Sequence, residues 1–229
     1  LDDSMTENKS PFSIFSLKGS FVFVAILVLL GLVMQLIYGQ VPVEALKFPI
    51  NLYLIIELFF ITIALWVLFK KMKFVQWLAS SRAALSAISF FAMVVLIMAI
   101  TPQSDSSGDI IHSLGFNKVI YSWIYAFSIT FLLLSLGLVT IRRMLPFRGR
   151  NIAFFINHFG LWLAMSTSIL GFADKQELIM PINVNQLVWY AENDQKVITE
   201  LPFALKLEKF TVKYHPPKIA LMNKQGEPF

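Results

Sequence analysis

Cysteine is missing altogether from the 229 residues. That excludes a CxxC thiol-redox pair, cysteine zinc ligands, an iron–sulfur cluster and a CxxCH haem attachment site within this chain. Charge is scarce too. Asp, Glu, Lys and Arg make up 14% of the sequence, where a soluble domain carries roughly a quarter. No GxSxG, Walker, HExxH or paired-carboxylate arrangement occurs, so nothing reads as a self-contained hydrolase or ATPase. The first apolar run is too long for a cleavable signal peptide, lacks a small-residue cleavage site and is followed by further runs. There is no internal repeat and no low-complexity tract.

What fills the sequence instead is apolar: 57% of the residues are hydrophobic and the mean hydropathy is +0.68. Five segments meet the length of about 20 apolar residues that a bilayer core near 30 Å requires. They run Phe21–Tyr38, Ile50–Phe69, Ala83–Ile100, Val119–Ile141 and Ile152–Phe172. The formal charge of +5 is explained by where the cations fall. With the N-terminus inside, Lys9, Lys18, Lys70, Lys71, Lys73, Arg82, Arg142, Arg143, Arg148 and Arg150 are cytoplasmic, and the two outer loops hold only Lys47 and Lys118. Ten against two fixes the expected orientation. The basic balance reads as membrane anchoring, not nucleic-acid binding. Five spans then leave the C-terminal segment outside.

Residues 173–229 turn polar with the periodicity of strands. "FALKLEKFTVKYH" alternates, with Phe203, Leu205 and Leu207 on one face. The parity then slips to Phe210, Val212 and Tyr214, which predicts a bulge near Glu208–Lys209. Pro216–Pro217 ends or edges this strand, "KIALM" starts another and "NKQGE" offers a turn. A sheet of two or three strands in so short a segment is marginal. The expectation is a fragment of a longer protein, or dependence on a partner.

An ionisable residue inside a span is costly unless it is paired or faces a cavity. Glu57 and His158 qualify, with Gln35 a milder polar case. Glu57 is either a proton or cation site, or a neutral acid hydrogen-bonded to a neighbouring helix. His158 lies about 10 Å in from Asn151 at the helical rise. Its neighbours at helical spacing are Phe154, Phe155, Leu161, Trp162 and Met165. Such a ring suits a flat hydrophobic cofactor with an open iron position, namely haem. Equally, it suits a hydrogen bond to a serine or carbonyl across helices. One histidine cannot complete a bis-histidine site. His112, near Asp105 and Asp109, is an outer-loop residue open to a metal, to haem or to solvent alone; His215 has only a surface reading.

Four stretches together resemble the ResB (CcsB) family of System II cytochrome c maturation proteins. "AISFFAMVVLIMAITPQ" (87–103) is similar to that family's first core span and its PQ turn. "LGFNKVIYSWIYAFSITFLLLSLGLVTIRRM" (114–144) is similar to the next, with a Tyr–Ser–Trp entry and paired arginines at the exit. "NHFGLWLAMSTSILGF" (157–172) and "LPFALKLEKFTVKYHPPK" (201–218) resemble the third span and the start of the outer domain. Two departures are Ala99, where the turn's glycine is expected, and the two additional spans at the front.

The resemblance implies a mainly α, polytopic protein of the bacterial cytoplasmic (inner) membrane with a periplasmic C-terminal segment. It comprises a cytoplasmic tail (1–18), two extra helices (19–73), a ResB-like three-helix core (83–172) and the beginning of a β-rich outer domain (173–229). It further implies a subunit of the haem export and ligation complex, not a complete catalyst alone. Its partners would be a CcsA-type haem-handling protein, separate or fused, apocytochrome c and, indirectly, thiol-reducing proteins. His158 matches the histidine that opens the family's third core span and is the expected axial ligand of haem. Phe155 and Trp162 would cover the porphyrin, and the partner would supply the second ligand. Two other readings stand beside it: a non-catalytic anchor presenting an outer β domain, and a transporter-type subunit using Glu57.

Overall fold

The computed structural model describes residues 15–103, 113–193 and 195–214. Residues 1–14 of the N-terminal tail, His112 with its acidic neighbours, His215 and the "KIALM" and "NKQGE" segments lie outside the described residues. The described chain forms two compact units, dividing after Asp174.

The first unit holds five helices long and apolar enough to cross a membrane. They are α1 (Leu17–Tyr38), α2 (Ile50–Phe69), α4 (Ser81–Ile100), α5 (Trp123–Met144) and α6 (Ile152–Gly171), with a short α3 (Lys73–Leu78) between the second and third. Each crossing helix has 20 or 22 residues, about 30 Å at the helical rise. This is the architecture of a multi-pass membrane protein.

Helix ends differ from the apolar segments wherever a side chain caps the backbone. Ser16 accepts a hydrogen bond from Gly19 N, so α1 begins a turn before Phe21. Ser80 caps α4 through Ala83 N. The fourth span starts at Trp123 and not at the expected Val119, because Ser122 is extended and accepts from Tyr125 N. Phe116–Tyr121 ahead of it form a 3-10 turn that Lys118 breaks with non-helical angles. Capping hydroxyls of this kind are worth about 1 kcal/mol each.

Helix α5 is the hub. Half of it is buried, against at most 28% of any other crossing helix, and it packs against α1, α2, α4 and α6. Helices α1 and α2 therefore belong to the same compact unit as α4, α5 and α6. Close approach depends on small residues, as packing in lipid generally does. A Cβ on Gly31 would stand 3.0 Å from the Ile124 backbone, and one on Gly137 would stand 2.7 Å from Thr62 Cγ2. The buried hydroxyls are satisfied, which lipid makes obligatory. Ser86, Ser128, Thr140 and Ser166 donate to carbonyls of their own helices, and Ser135 donates to Leu78 O of α3. Helix α3, unanticipated from sequence, buries Val75, Trp77 and Leu78; Trp77 Nε1 donates to Ser20 Oγ at 2.8 Å.

Polar residues at the end of the bundle away from the basic cluster act as latches. Buried Gln35 offers Oε1 to the Trp123 backbone N–H, capping the start of α5 from α1. The "TPQ" element after α4 works similarly. Thr101 Oγ1 and Gln103 Nε2 both donate to Phe116 O, and Gln103 Oε1 accepts from Val119 N. The helix runs through Ala99 to Ile100, and the turn after it is held by side-chain latching. Asp174 accepts from Phe48 N and from Asn51 Nδ2, tying the end of α6 to the start of α2.

The second unit contains one antiparallel pair, β1 (Leu187–Glu192) and β2 (Ile198–Lys206). The expected strand is confined to its first half. β2 ends at Lys206, Leu207 makes only an isolated bridge to Val184, and residues 208–214 form no strand. The expected bulge near Glu208–Lys209 is thus corrected to a strand end. The irregularity instead falls where Val188 pairs with Leu205 but Tyr190 pairs with Glu200. Pro202 lies within that stretch and has no N–H for a ladder bond, which explains why the register breaks there.

Replacing Gly31 by leucine is expected to destabilise the detergent-solubilised protein by about 1–3 kcal/mol through overpacking against α5. Nothing lies within 4 Å of a Cβ on Gly160, so Gly160→Ala leaves the melting temperature unchanged or slightly raised. Thermal unfolding of the two variants side by side checks the packing.

Candidate functional site

His158 sits in the first half of α6, half-buried. Its Nδ1 lies 3.0 Å from Phe154 O, one helical turn back. A carbonyl can only accept, so Nδ1 carries the proton. In the neutral ring the lone pair is then on Nε2, the arrangement a metal-binding histidine needs. Among the described residues Nε2 has no hydrogen-bond partner. The ring also stacks on Phe154, centroid to centroid 3.7 Å at 28°. The Arg143 guanidinium lies 4.2 Å from the centroid of that same phenyl ring. A cation, a phenyl ring and an imidazole thus form one contiguous cluster at the end of the bundle where the basic residues gather.

Phe155 and Trp162 face elsewhere. With Phe159 they form a nearly parallel stack along α6, with centroid spacings of 5.4 and 6.2 Å, and Phe59 of α2 packs against it. Trp162 is only 4% exposed, and its Nε1 donates to Leu133 O at 3.1 Å. The reason is physical: an indole N–H in lipid must find an acceptor, and α5 offers one beside the notch at Gly137. Phe155, Phe159 and Trp162 line a cavity of about 200 Å³ closed by Phe59, Thr62 and Gly137. His158 is not among its lining residues. The cavity is smaller than the roughly 300–1,000 Å³ typical of small-molecule sites. Phe155 and Trp162, expected to cover a porphyrin held by His158, line this cavity, while the imidazole stands next to Phe154.

Glu57 is exposed on α2 and lines a separate groove of about 250 Å³ together with Leu54, Ile129, Thr130, Leu133 and Ser166. Among the described residues it makes no hydrogen bond or ion pair, so the helix-to-helix hydrogen bond considered for it is not formed within them. No group of three or more His, Asp or Glu able to hold a metal occurs among the described residues. Two features escaped sequence reasoning: the contact of Arg143 with Phe154, and the latching by Gln35 and Gln103. The paired arginines serve the sequence reading as topology signals and as the exit of the fourth span; their position one loop before α6 is the hint to the Phe154 contact.

Comparison with family models, with curated proteins and with solved structures returns no match to this chain.

Nitrogen-15 NMR of selectively labelled histidine should find the His158 ring, when neutral, protonated at Nδ1 with a pyridine-type Nε2. The reverse tautomer would contradict the assignment of Phe154 O as its acceptor.

Proposed function

We propose that this chain is the membrane subunit of a System II-type cytochrome c maturation complex, which binds haem within the bilayer and passes it outward for attachment to apocytochrome c. The observation that carries the reading is His158: an imidazole inside a crossing helix, with its tautomer fixed by Phe154 O and its Nε2 without a partner among the described residues. That donor fits one axial position of a haem iron, the chemistry being the iron's own. The order of the ResB-like motifs supports it, as does the bias of Lys and Arg that orients the N-terminus and the His158 end toward the cytoplasm. On this reading the membrane is the bacterial inner membrane and the C-terminal unit is periplasmic.

What the residues of this chain contribute is limited and specific. His158 supplies one nitrogen ligand. Phe154 presents a flat face beside it and holds the ring's orientation through its carbonyl. Arg143 adds a positive charge within reach of the same phenyl ring, suited to an anionic substituent. Trp162 and Phe155 act behind the site, packing α6 onto α2 and α5 so that the His158 face is held firm. A CcsA-type partner, fused or separate, would supply the other ligand to the haem and its shelter from lipid, and this chain would not perform the ligation alone.

Haem stoichiometry after co-expression with a CcsA-type partner tests this directly. His158→Ala should strip the Soret band from the purified complex while the helical circular dichroism is unchanged; a full Soret band overturns the reading. Glu57→Gln should leave haem content intact, whereas a transporter-type role for Glu57 predicts loss of activity with that substitution.

A further inference from the structure

The end of the bundle that carries the cations also contains a cavity of about 310 Å³, with Lys73, Gln76, Ser80, Arg82 and Arg142 in its wall beside the rings of Phe15 and Trp77. Three elements converge there: the start of α3, the first turn of α4 and the last turn of α5. The two guanidiniums are held in place. Arg82 Nη1 donates to Phe15 O at 2.8 Å, and Arg142 Nη1 donates to Ala79 O at 3.1 Å. Each bond uses one of the five N–H donors of the group, and the other donors of each planar fork have no hydrogen-bond partner among the described residues. Lys73 makes no hydrogen bond among the described residues. Nor is there a counter-charge among the described residues. The described carboxylates of the first unit are Glu44, Glu57 and Asp174. Glu44 and Asp174 lie at the opposite end of the bundle, and Glu57 falls in the half of α2 nearer that end. No ion pair with an acid involves Lys73, Arg82 or Arg142 among the described residues.

Three cations sharing one concavity repel one another, and two of them are fixed by backbone carbonyls. Such a site is balanced by an anion with several acceptor oxygens. Planar guanidinium forks match phosphate oxygens in pairs, and the lysine adds a point charge. The setting is also right for a membrane ligand: the cavity opens at a terminus of the spanning helices, where basic pockets receive anionic headgroups. Buried Trp77 forms its floor, its own N–H already used on Ser20.

We propose that this cavity is a phosphate-binding site, taking the phosphate of an anionic headgroup or a free phosphate ion. It stands independently of the haem reading, since neither His158 nor Arg143 lines it.

The test uses the full chain purified in mild detergent, titrated with phosphatidylglycerol, phosphatidylcholine or inorganic phosphate and read by native mass spectrometry. Phosphatidylglycerol should be retained in preference to phosphatidylcholine. Lys73→Gln, which removes no hydrogen bond, should weaken that retention about five-fold, the effect of one cation near a membrane surface. Lys71→Gln makes the same charge change outside the cavity and should leave it unaltered. Arg82→Lys keeps the charge but not the fork and should give an intermediate loss, with circular dichroism confirming the fold. If inorganic phosphate competes with the lipid, or alone shows the Lys73 dependence, the site is confirmed with free phosphate as a source. Equal retention of both lipids with no effect of Lys73→Gln, and no Lys73-dependent phosphate binding, overturns the proposal.

Discussion

Lipid offers no hydrogen-bond partner, so each polar group in a crossing helix must be satisfied inside the protein, and the packing around α5 follows from that constraint. Serine and threonine on α5 return their protons to backbone carbonyls, which leaves their compact side chains free to act as small packing surfaces. Gly137 adjoins Thr62 and Trp162, and Gly31 adjoins Ile124, so that α1, α2 and α6 can all reach the same helix. Where a donor is too large to bond at home it crosses to a neighbour: Trp162 to Leu133 O, Trp77 to Ser20 Oγ, Trp123 to Gly39 O. These crossings orient the helices about their own axes, which non-directional apolar contact alone does not do.

The rotation of α6 decides what His158 can do. Because Trp162 must turn toward α5, the stack of Phe155, Phe159 and Trp162 follows it, and the imidazole is left on a different part of the helix surface. Nδ1 is satisfied within the helix by Phe154 O. Nε2 is not satisfied by any described residue, and in a membrane an unmet acceptor is an expense that persists only when something else meets it. A metal or a partner helix is the natural claimant. On the proposed reading, the basic cluster at the same end of the bundle favours an anionic, flat ligand there.

Much of this was legible in the sequence. The five spans follow from the length of the apolar runs; their starts shift where Ser16, Ser80 or Ser122 caps the backbone, and the fourth runs on past Ile141 to Met144. His158 and Glu57 stood out because charge is costly in lipid, and Gln35 proved to be a cap for α5. What the sequence could not reveal was facing. Positions 155, 158 and 162 are all helical neighbours, and only the acceptor at Leu133 O determines that Trp162 and His158 part company. Likewise the parity slip after Leu207 fitted a bulge equally well as a strand end; Pro202 placed the irregularity earlier. The short helix α3 was hidden because six residues between two long runs carry no periodicity to read.

The central claim is that His158 supplies an axial nitrogen to haem within the membrane. Its most direct measurement is the ligation signature of the purified complex with a CcsA-type partner, comparing the native protein with His158→Cys by magnetic circular dichroism and resonance Raman. The account predicts that a bis-nitrogen, low-spin spectrum in the native complex gives way to a thiolate-ligated one in the variant. An identical bis-nitrogen spectrum from both proteins would contradict it.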